Sequence, residues 1–500
     1  LFINTHFSDN VSPWTTNLLY INNGDLTFTQ VWTSDKDKSM TIGSVFIDYD
    51  LDGDLDIYNI NYVENIKFLF DDDNAVAGFD HDCFKNYMYR NDGNGNFTDV
   101  TDQLGLGDTG CALAVAATDY DQDGDLDLLI GNDFGIYIQP NKLYRNDLEL
   151  GVFTEVSMEA NCDIKMFSMG ISVGDYDNDQ DLDYYISNLG NNVLLDNQGD
   201  QFVESAVDAN VANGIVEKDS SLSITWGNLF VDVNNDMYED IFLSNGYVPA
   251  PAFIDNGNLE PDRLYMNNGD KTFTPIDSSE GIWNEISSRG CAFSDVNNDG
   301  LVDIYSVVFD KPTFGLDGAS CLFVNQSQEN YNYIDIRLEG SVVNKSAYGS
   351  TVFVHTGQDT QMRELSGGSS FSSHSSSVIH FGVLDYEIID SITIQWTGKK
   401  HIQKLYNIPV NQTINVKEDN QTNTNNNLNS SITINPNPTN GWIEIESSEE
   451  IINIEILSAT GQVIKAFDTN VFSIEDFPSG FYLLNVYYAN SRHLYKIVKN

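Results

Sequence analysis

Carboxylates at alternate positions of a nine-residue loop dominate the chemistry open to this sequence. The pattern D-x-D-x-D-G-x-x-D begins at Asp48 and recurs, with substitutions, at Asp119, Asp175, Asp232 and Asp295. Calcium takes six to eight hard oxygen ligands at about 2.3–2.6 Å, and a tight loop supplies them only from alternate side chains and a backbone carbonyl. Positions 1, 3, 5 and 9 give side-chain oxygens, and position 7 lends its carbonyl. The first loop thus offers Asp48, Asp50, Asp52 and Asp56 with the carbonyl of Asp54. The second offers Asp119, Asp121, Asp123 and Asp127 with Asp125, and the third Asp175, Asp177, Asp179 and Asp183 with Asp181. In the last two, Asn softens position 3: Asp232, Asn234, Asp236 and Asp240 with Tyr238, then Asp295, Asn297, Asp299 and Asp303 with Leu301. The expectation is about five Ca2+ ions, bound more weakly in the fourth and fifth loops, which carry less charge.

Position 6 needs a sharp reversal, which Gly supplies without steric cost. Gln180 and Met237 stand there in the third and fourth loops, so those turns should be more strained. Apolar residues at position 8 (Leu55, Leu126, Leu182, Val302) should anchor the loops in the core. Acidic surface turns are the competing explanation, since Asp and Gly favour turns in any case. Four or five carboxylates within nine residues nevertheless repel one another by several kcal/mol unless a cation lies among them, and five such loops recur in register. EF-hand loops begin similarly but need an acidic ligand at position 12 and flanking helices. Here position 12 is Asn59, Ile130 and Ile186 in the first three loops, within apolar strand-like runs.

These loops need hairpins to hold them, and the flanking sequence supplies strands. Each loop sits between apolar runs such as Val45–Ile47 and Ile57–Tyr58, and is followed by Asn-x-Leu/Met-Tyr-x-Asn, a Gly/Asp turn and Phe-Thr. That second element recurs around Tyr20, Tyr89, Tyr144, Leu194, Tyr265 and Phe323. About four short strands per unit of about 55 to 70 residues predict a β-propeller. There are five complete units and a leading half, the strands near Leu19 to Val31 having no aspartate loop before them.

The formal charge is −51, from 24 Lys+Arg against 75 Asp+Glu, which excludes nucleic acid and anionic membrane as natural partners. No run approaches eighteen apolar residues, so no membrane insertion is expected. The first residues, Leu1 to Asn4, lack a Met or a signal-like pattern, so the natural N-terminus is expected to be processed or to lie upstream. Five cysteines without a C-x-x-C spacing argue against zinc or redox chemistry, and an odd count leaves at least one unpaired within the chain. Cys83 with Cys111 is the favoured pair. The repeat ends near Tyr331. Residues 331–418 alternate in short β runs, 419–431 form a polar, Asn-rich linker, and 432–500 resume β alternation.

With its N-x-L-Y-x-N-x-G-x-G-x-F-T element, the repeat of residues 17–330 is similar to the FG-GAP (VCBS) repeat of integrin-α-like propellers. Arg337-Leu-Glu-Gly340, Asn344-Lys-Ser-Ala-Tyr-Gly349 and His380-Phe-Gly382 resemble the ASPIC/UnbV domain of cartilage-acidic-protein-like proteins. Asn435-Pro-Asn-Pro-Thr-Asn-Gly441, Ser458-Ala-Thr-Gly-Gln462, Pro478-Ser-Gly-Phe-Tyr482 and Tyr495-Lys-Ile-Val-Lys499 resemble the type IX secretion sorting domain of Bacteroidetes. The expectation is an all-β chain: a propeller of about six to seven blades over 1–330, a β-sandwich over 331–418, a linker over 419–431 and a sorting domain, also a small sandwich, over 432–500. The resemblance also implies export across the outer membrane, to the cell surface or the medium.

Catalysis needs a converging acid, base or nucleophile. The seven His stand apart, Ser366–Ser377 lacks G-x-S-x-G, and the conspicuous carboxylates are claimed by the loops, so a glycosidase pair has little left to use. No catalytic role is expected, and a secreted carbohydrate-active enzyme is the minor alternative. The expected function is extracellular binding, adhesion or surface assembly. An extracellular protein or glycan would be gripped by variable loops such as Asn61–Asp82 and Val248–Glu260. A protomer of a fibre joined by strand donation at the unmatched half unit is the other alternative.

Overall fold

Alternating apolar residues flanked by Gly, Asn and Asp turns build sheets almost throughout the computed structural model. It describes residues 2–3, 17–34, 40–70, 76–93, 95–199, 201–215, 222–246, 260–276, 281–282, 287–308, 318–327, 331–398, 401–419, 433–435, 439, 441–447, 451–458, 463–467, 469–487 and 492–499. The chain divides into two units, Leu1–Asn420 and Gln421–Asn500.

In the first unit, each aspartate loop joins the first two strands of an antiparallel sheet. Thr41–Ile47 and Asp56–Asn61 flank the first loop, and Tyr87–Asn91 and Phe97–Asp99 complete the sheet in meander order. The second, third and fourth loops head four-stranded sheets of the same order, beginning at Ala112–Thr118, Ile171–Gly174 and Thr225–Val231. The fifth has three described strands, Ser288–Ser294, Asp303–Val308 and Cys321–Phe323. Successive first strands lie against one another, and apolar residues of adjacent sheets share cores, as Tyr58 and Ile60 do with Leu128 and Ile130. The leading sheet consists of Phe2–Ile3, Leu18–Asn22 and Phe28–Thr33; its Trp32 packs on Tyr89 and Phe97 of the next sheet.

One hairpin departs from this pattern. Val63–Phe70 and Val76–Cys83 are inserted after the second strand of the first sheet, and a Cys83–Cys111 disulfide ties the insertion to the start of the second sheet. That is the pair favoured by the sequence. Val248 to Asn258 and Leu259, most of the other variable segment, lie outside the described residues.

Residues 333–417 form two sheets over one core that includes Ile334, Val352, Phe381, Ile392 and Trp396. Tyr333–Glu339 pairs in parallel with Gln412–Lys417 and antiparallel with Ile379–Gly382. Glu418 closes the domain by accepting the backbone N–H groups of Ser341, Val342 and Val343 at 2.8, 2.7 and 3.1 Å. In the second unit, a three-stranded and a four-stranded sheet share the core of Ile443, Ile445, Ile456, Leu484 and Ile497.

The serine-rich segment 366–376 leaves the two-sheet domain and runs among the first strands of the loop-bearing sheets. Phe46 N–H donates to the Gly367 carbonyl at 3.3 Å, Ser372 Oγ to the Ile42 carbonyl at 2.9 Å, and Asn228 N–H to Ser370 Oγ at 3.1 Å. Ser370 also bridges to Ile171, and Ser376 N–H donates to the Phe293 carbonyl at 3.1 Å. At its tip Phe371 enters a cluster with Ile42, Leu113, Met169, Ile224 and Trp226. Its Gly and Ser residues signal a loop but carry no sign of this packing.

Candidate metal centres

The five loops share one backbone. Position 4 is left-handed in every case, at Leu51, Gln122, Asn178, Asn235 and Asn298, with φ between 55° and 61°. Position 6 is left-handed as well: Gly53, Gly124 and Gly300 adopt it freely, whereas Gln180 (φ 74°) and Met237 (φ 83°) hold it against their side chains. This is the strain expected of the third and fourth turns.

Hydrogen bonds repeat from loop to loop. The position-7 N–H donates to the position-5 carboxylate in all five, for example Asp54 to Asp52 at 2.8 Å and Leu301 to Asp299 at 3.0 Å. Position 9 is the best-held carboxylate. Asp56, Asp127, Asp183, Asp240 and Asp303 are buried, and each accepts the N–H of position 2 on one oxygen. The other oxygen takes the N–H of an Asn in the second element: Asn91, Asn146, Asn197, Asn267 or Asn325, at 2.7–2.8 Å.

Four of these Asn residues also join neighbouring sheets. Asn146 donates its amide to the Tyr49 carbonyl in the preceding loop at 2.8 Å, and Asn197, Asn267 and Asn325 donate to Tyr120, Tyr176 and Val233. The conspicuous Asn of the sequence motif is therefore a clamp between one loop and the next.

In the first three loops the carboxylates of positions 1, 3 and 9 converge: Asp48, Asp50 and Asp56; Asp119, Asp121 and Asp127; Asp175, Asp177 and Asp183. Within each group their ligand oxygens lie within 4.8 Å of one another. Burial, reinforced by neighbouring carboxylates, pushes Asp56 up to about 8. Burial also lifts Asp175 to about 8, Asp125 to about 7, and Asp48 and Asp121 to about 6, while Asp127, Asp183 and Asp240 go well above the ordinary carboxylate range. Buried oxygens Asp50 Oδ1, Asp125 Oδ1 and Asp181 Oδ1 have no hydrogen-bond partner among the described residues. Such oxygens, in an all-oxygen donor set, suit a hard cation. In the fourth and fifth loops the Asn at position 3 instead donates to position 5, Asn234 to Asp236 at 2.9 Å and Asn297 to Asp299 at 2.8 Å.

Two further features shape the loop face. Position 8, apolar in four loops, is Glu239 in the fourth, buried and ion-paired to Arg363 at 2.8 Å. The two-sheet domain also covers the loop face. Gly398 N–H donates to the Gly124 carbonyl at 2.8 Å, Glu364 accepts the Asp119 N–H at 3.1 Å, and His380 bonds Asn235 at 2.7 Å and Asp335 at 2.9 Å. His380 is thus a contact between this domain and the fourth loop.

The all-β fold and these loops accompany FG-GAP-like repeats. FG-GAP-like repeat models match residues 71–130 and 232–306, the ASPIC and UnbV model matches 340–423, and the secretion system C-terminal sorting domain matches 433–500. Among curated proteins, the chain is similar to cartilage acidic protein 1 of Mus musculus, 25% identical over 194 residues, covering 36% of this chain and 28% of that protein. It is also similar to cartilage acidic protein 1 of Xenopus tropicalis, 29% identical over 203 residues, covering 39% and 30%. The matched region thus spans under a third of those relatives. Among solved structures, an Agrocybe aegerita lectin that recognises non-reducing terminal N-acetylglucosamine aligns with a TM-score of 0.34 and 18% identity, over 62% of this chain and 74% of the lectin. The Dos1 propeller aligns at 0.28 and 10%, over 91% and 92%. The sorting domain directs the chain across the outer membrane to the cell surface or extracellular space. No helix among the described residues is long and apolar enough to cross a membrane.

Proposed function

We propose that this protein is an extracellular, calcium-stabilised propeller that acts by binding, in adhesion or surface assembly, and not by catalysis. The observation that carries the reading is the repetition of one loop geometry five times around buried carboxylates. Calcium would be held by the side chains of positions 1, 3, 5 and 9 and the carbonyl of position 7, where it would neutralise charge that burial otherwise makes costly.

The partner on this reading is an extracellular protein or glycan, or another copy of the chain. It would meet the end of the sheets opposite the loops, because the two-sheet domain covers the loop end. The disulfide-tied hairpin emerges at that opposite end, and Leu69, Phe70, Ile136, Tyr137 and Ile138 are exposed there. Calcium is tested by thermal unfolding of the secreted protein with calcium and with chelator. Several bound ions should raise the melting temperature by on the order of ten degrees; equal melting in both would overturn the calcium reading. Sugars or peptides released on incubation with extracellular polymers would overturn the non-catalytic one.

A further inference from the structure

The third loop differs from the first two in carrying a cation from its own chain. Lys271 lies in the Gly/Asp turn of the fourth sheet, which the Asn267 clamp holds against the third loop through the Tyr176 carbonyl at 2.7 Å. Its ammonium is in ion-pair contact with Asp177 Oδ2, and lies 3.4 Å from Asp196 and 3.9 Å from Asp179. Asp177 is the position-3 ligand, its side chain only 3% exposed, and its Oδ1 already accepts the Asp179 N–H at 3.2 Å. Both oxygens of that carboxylate are engaged.

The first two loops are arranged otherwise. Asp50 and Asp121, at position 3, have no lysine or arginine within ion-pair distance among the described residues; Arg90 and Arg145 act on them only at longer range. The residue preceding the clamp Asn is arginine in those sheets, and each arginine turns to its own turn, Arg90 to Asp92 at 2.8 Å and Arg145 to Asp147 at 2.9 Å. In the third sheet that position is Asp196, which adds a carboxylate to the site instead of an arginine beside it. The position corresponding to Lys271 in the turns of the first, second and third sheets is Gly95, Leu150 and Gln201. The extra acid and the lysine therefore occur together, on two different sheets, at the one loop.

We infer that Lys271 is the resident cation of the third loop, which therefore takes no calcium at concentrations that fill the first and second loops. The Lys271 side chain is half exposed, but its ammonium on the buried position-3 carboxylate removes one ligand and repels a dication from the others. The lysine also ties the third sheet to the fourth independently of calcium. This inference rests on the calcium reading of the other loops.

Native mass spectrometry of the full chain, saturated with calcium and freed of excess, tests it by counting ions. Relative to the wild type, Asp50→Ala and Asp121→Ala should each lose one ion, Asp177→Ala none, and Lys271→Met should gain one while Lys271→Arg does not. Loss of an ion in Asp177→Ala, or an unchanged count in Lys271→Met, overturns the assignment of Lys271. An unchanged count in Asp50→Ala and Asp121→Ala overturns the calcium reading and this inference together. The Asp177→Ala arm decides the matter even if Lys271→Met does not fold, which circular dichroism would reveal.

Discussion

Arg363 Nε of the two-sheet domain lies 2.8 Å from Glu239 Oε1 of the fourth loop, with both side chains under a tenth exposed. Burial pushes Glu239 up to about 7 even though the guanidinium beside it pulls the other way. Glu239 Oε2 also accepts the Asp175 N–H at 3.1 Å, so a single carboxylate connects the third loop, the fourth loop and the covering domain.

Removing one partner of this pair should be worse than removing both. Arg363→Met leaves a buried carboxylate beside Asp232, and the expected cost is about 3–5 kcal/mol. The double variant Arg363→Met with Glu239→Met should recover most of it, because two apolar side chains of similar length refill the space. Chemical denaturation of the single and double variants in calcium measures the coupling. A double variant no more stable than Arg363→Met would show that the pair does not carry the junction.

Position 9 should matter more than position 5. Asp127 is buried and accepts Tyr120 N–H at 3.2 Å and Asn146 N–H at 2.7 Å, whereas Asp123 is exposed. Asp127→Ala therefore orphans two backbone donors at about 1–3 kcal/mol each, besides losing a ligand. Asp123→Ala loses the ligand and one loop hydrogen bond. In chelator, where the ligand role vanishes, Asp127→Ala should still melt well below the wild type and Asp123→Ala close to it. Equal melting of the two variants in chelator would remove the structural role assigned to position 9.

The Asn clamp predicts coupling between sheets that depends little on metal. Asn146→Ala removes the donation to the Tyr49 carbonyl at 2.8 Å in a buried setting, at an expected cost of about 1–3 kcal/mol. Hydrogen exchange should rise on both sides of the clamp, in Asp56–Asn61 as well as Lys142–Asp147. Exchange confined to the strand carrying the substitution would mean that the sheets are joined by apolar packing alone.

How far the sequence revealed these arrangements follows from the range of the interactions. The loop ligands, the strand pairs and the Gly at position 6 are local: Asp48 and Asp56 are eight residues apart, and the spacing of the oxygens is the signal. The left-handed position 4 was invisible because Leu51 and Gln122 do not advertise it; loop hydrogen bonds impose it. Glu239 broke an apolar pattern, but its partner Arg363 is far along the chain in another domain. The segment 366–376 gave no such signal, because a segment that bonds four different strands through small polar groups carries no period of its own. Lys271 and Asp177 meet only because the fourth sheet lies on the third, and no motif records that.

Acidity should act in opposite directions with and without calcium. In the metal-free protein, folding raises the carboxyl of Asp56 to about 8, Asp125 to about 7, and Asp48 and Asp121 to about 6, each from an ordinary value near 3.8. A group whose folded value is raised binds its proton more tightly in the folded chain. Its stabilising contribution is therefore full below about pH 4 and is lost as pH rises through 6 to 8. Melting temperature in chelator should then fall across that window. With calcium saturating, the ion keeps these carboxylates charged, and protons compete with it instead, so the melting temperature should rise over the same interval. Thermal unfolding from pH 5 to 8.5 in the two conditions should give diverging curves with the widest gap at the alkaline end. Parallel curves would show that no ion exchanges with protons at the loops.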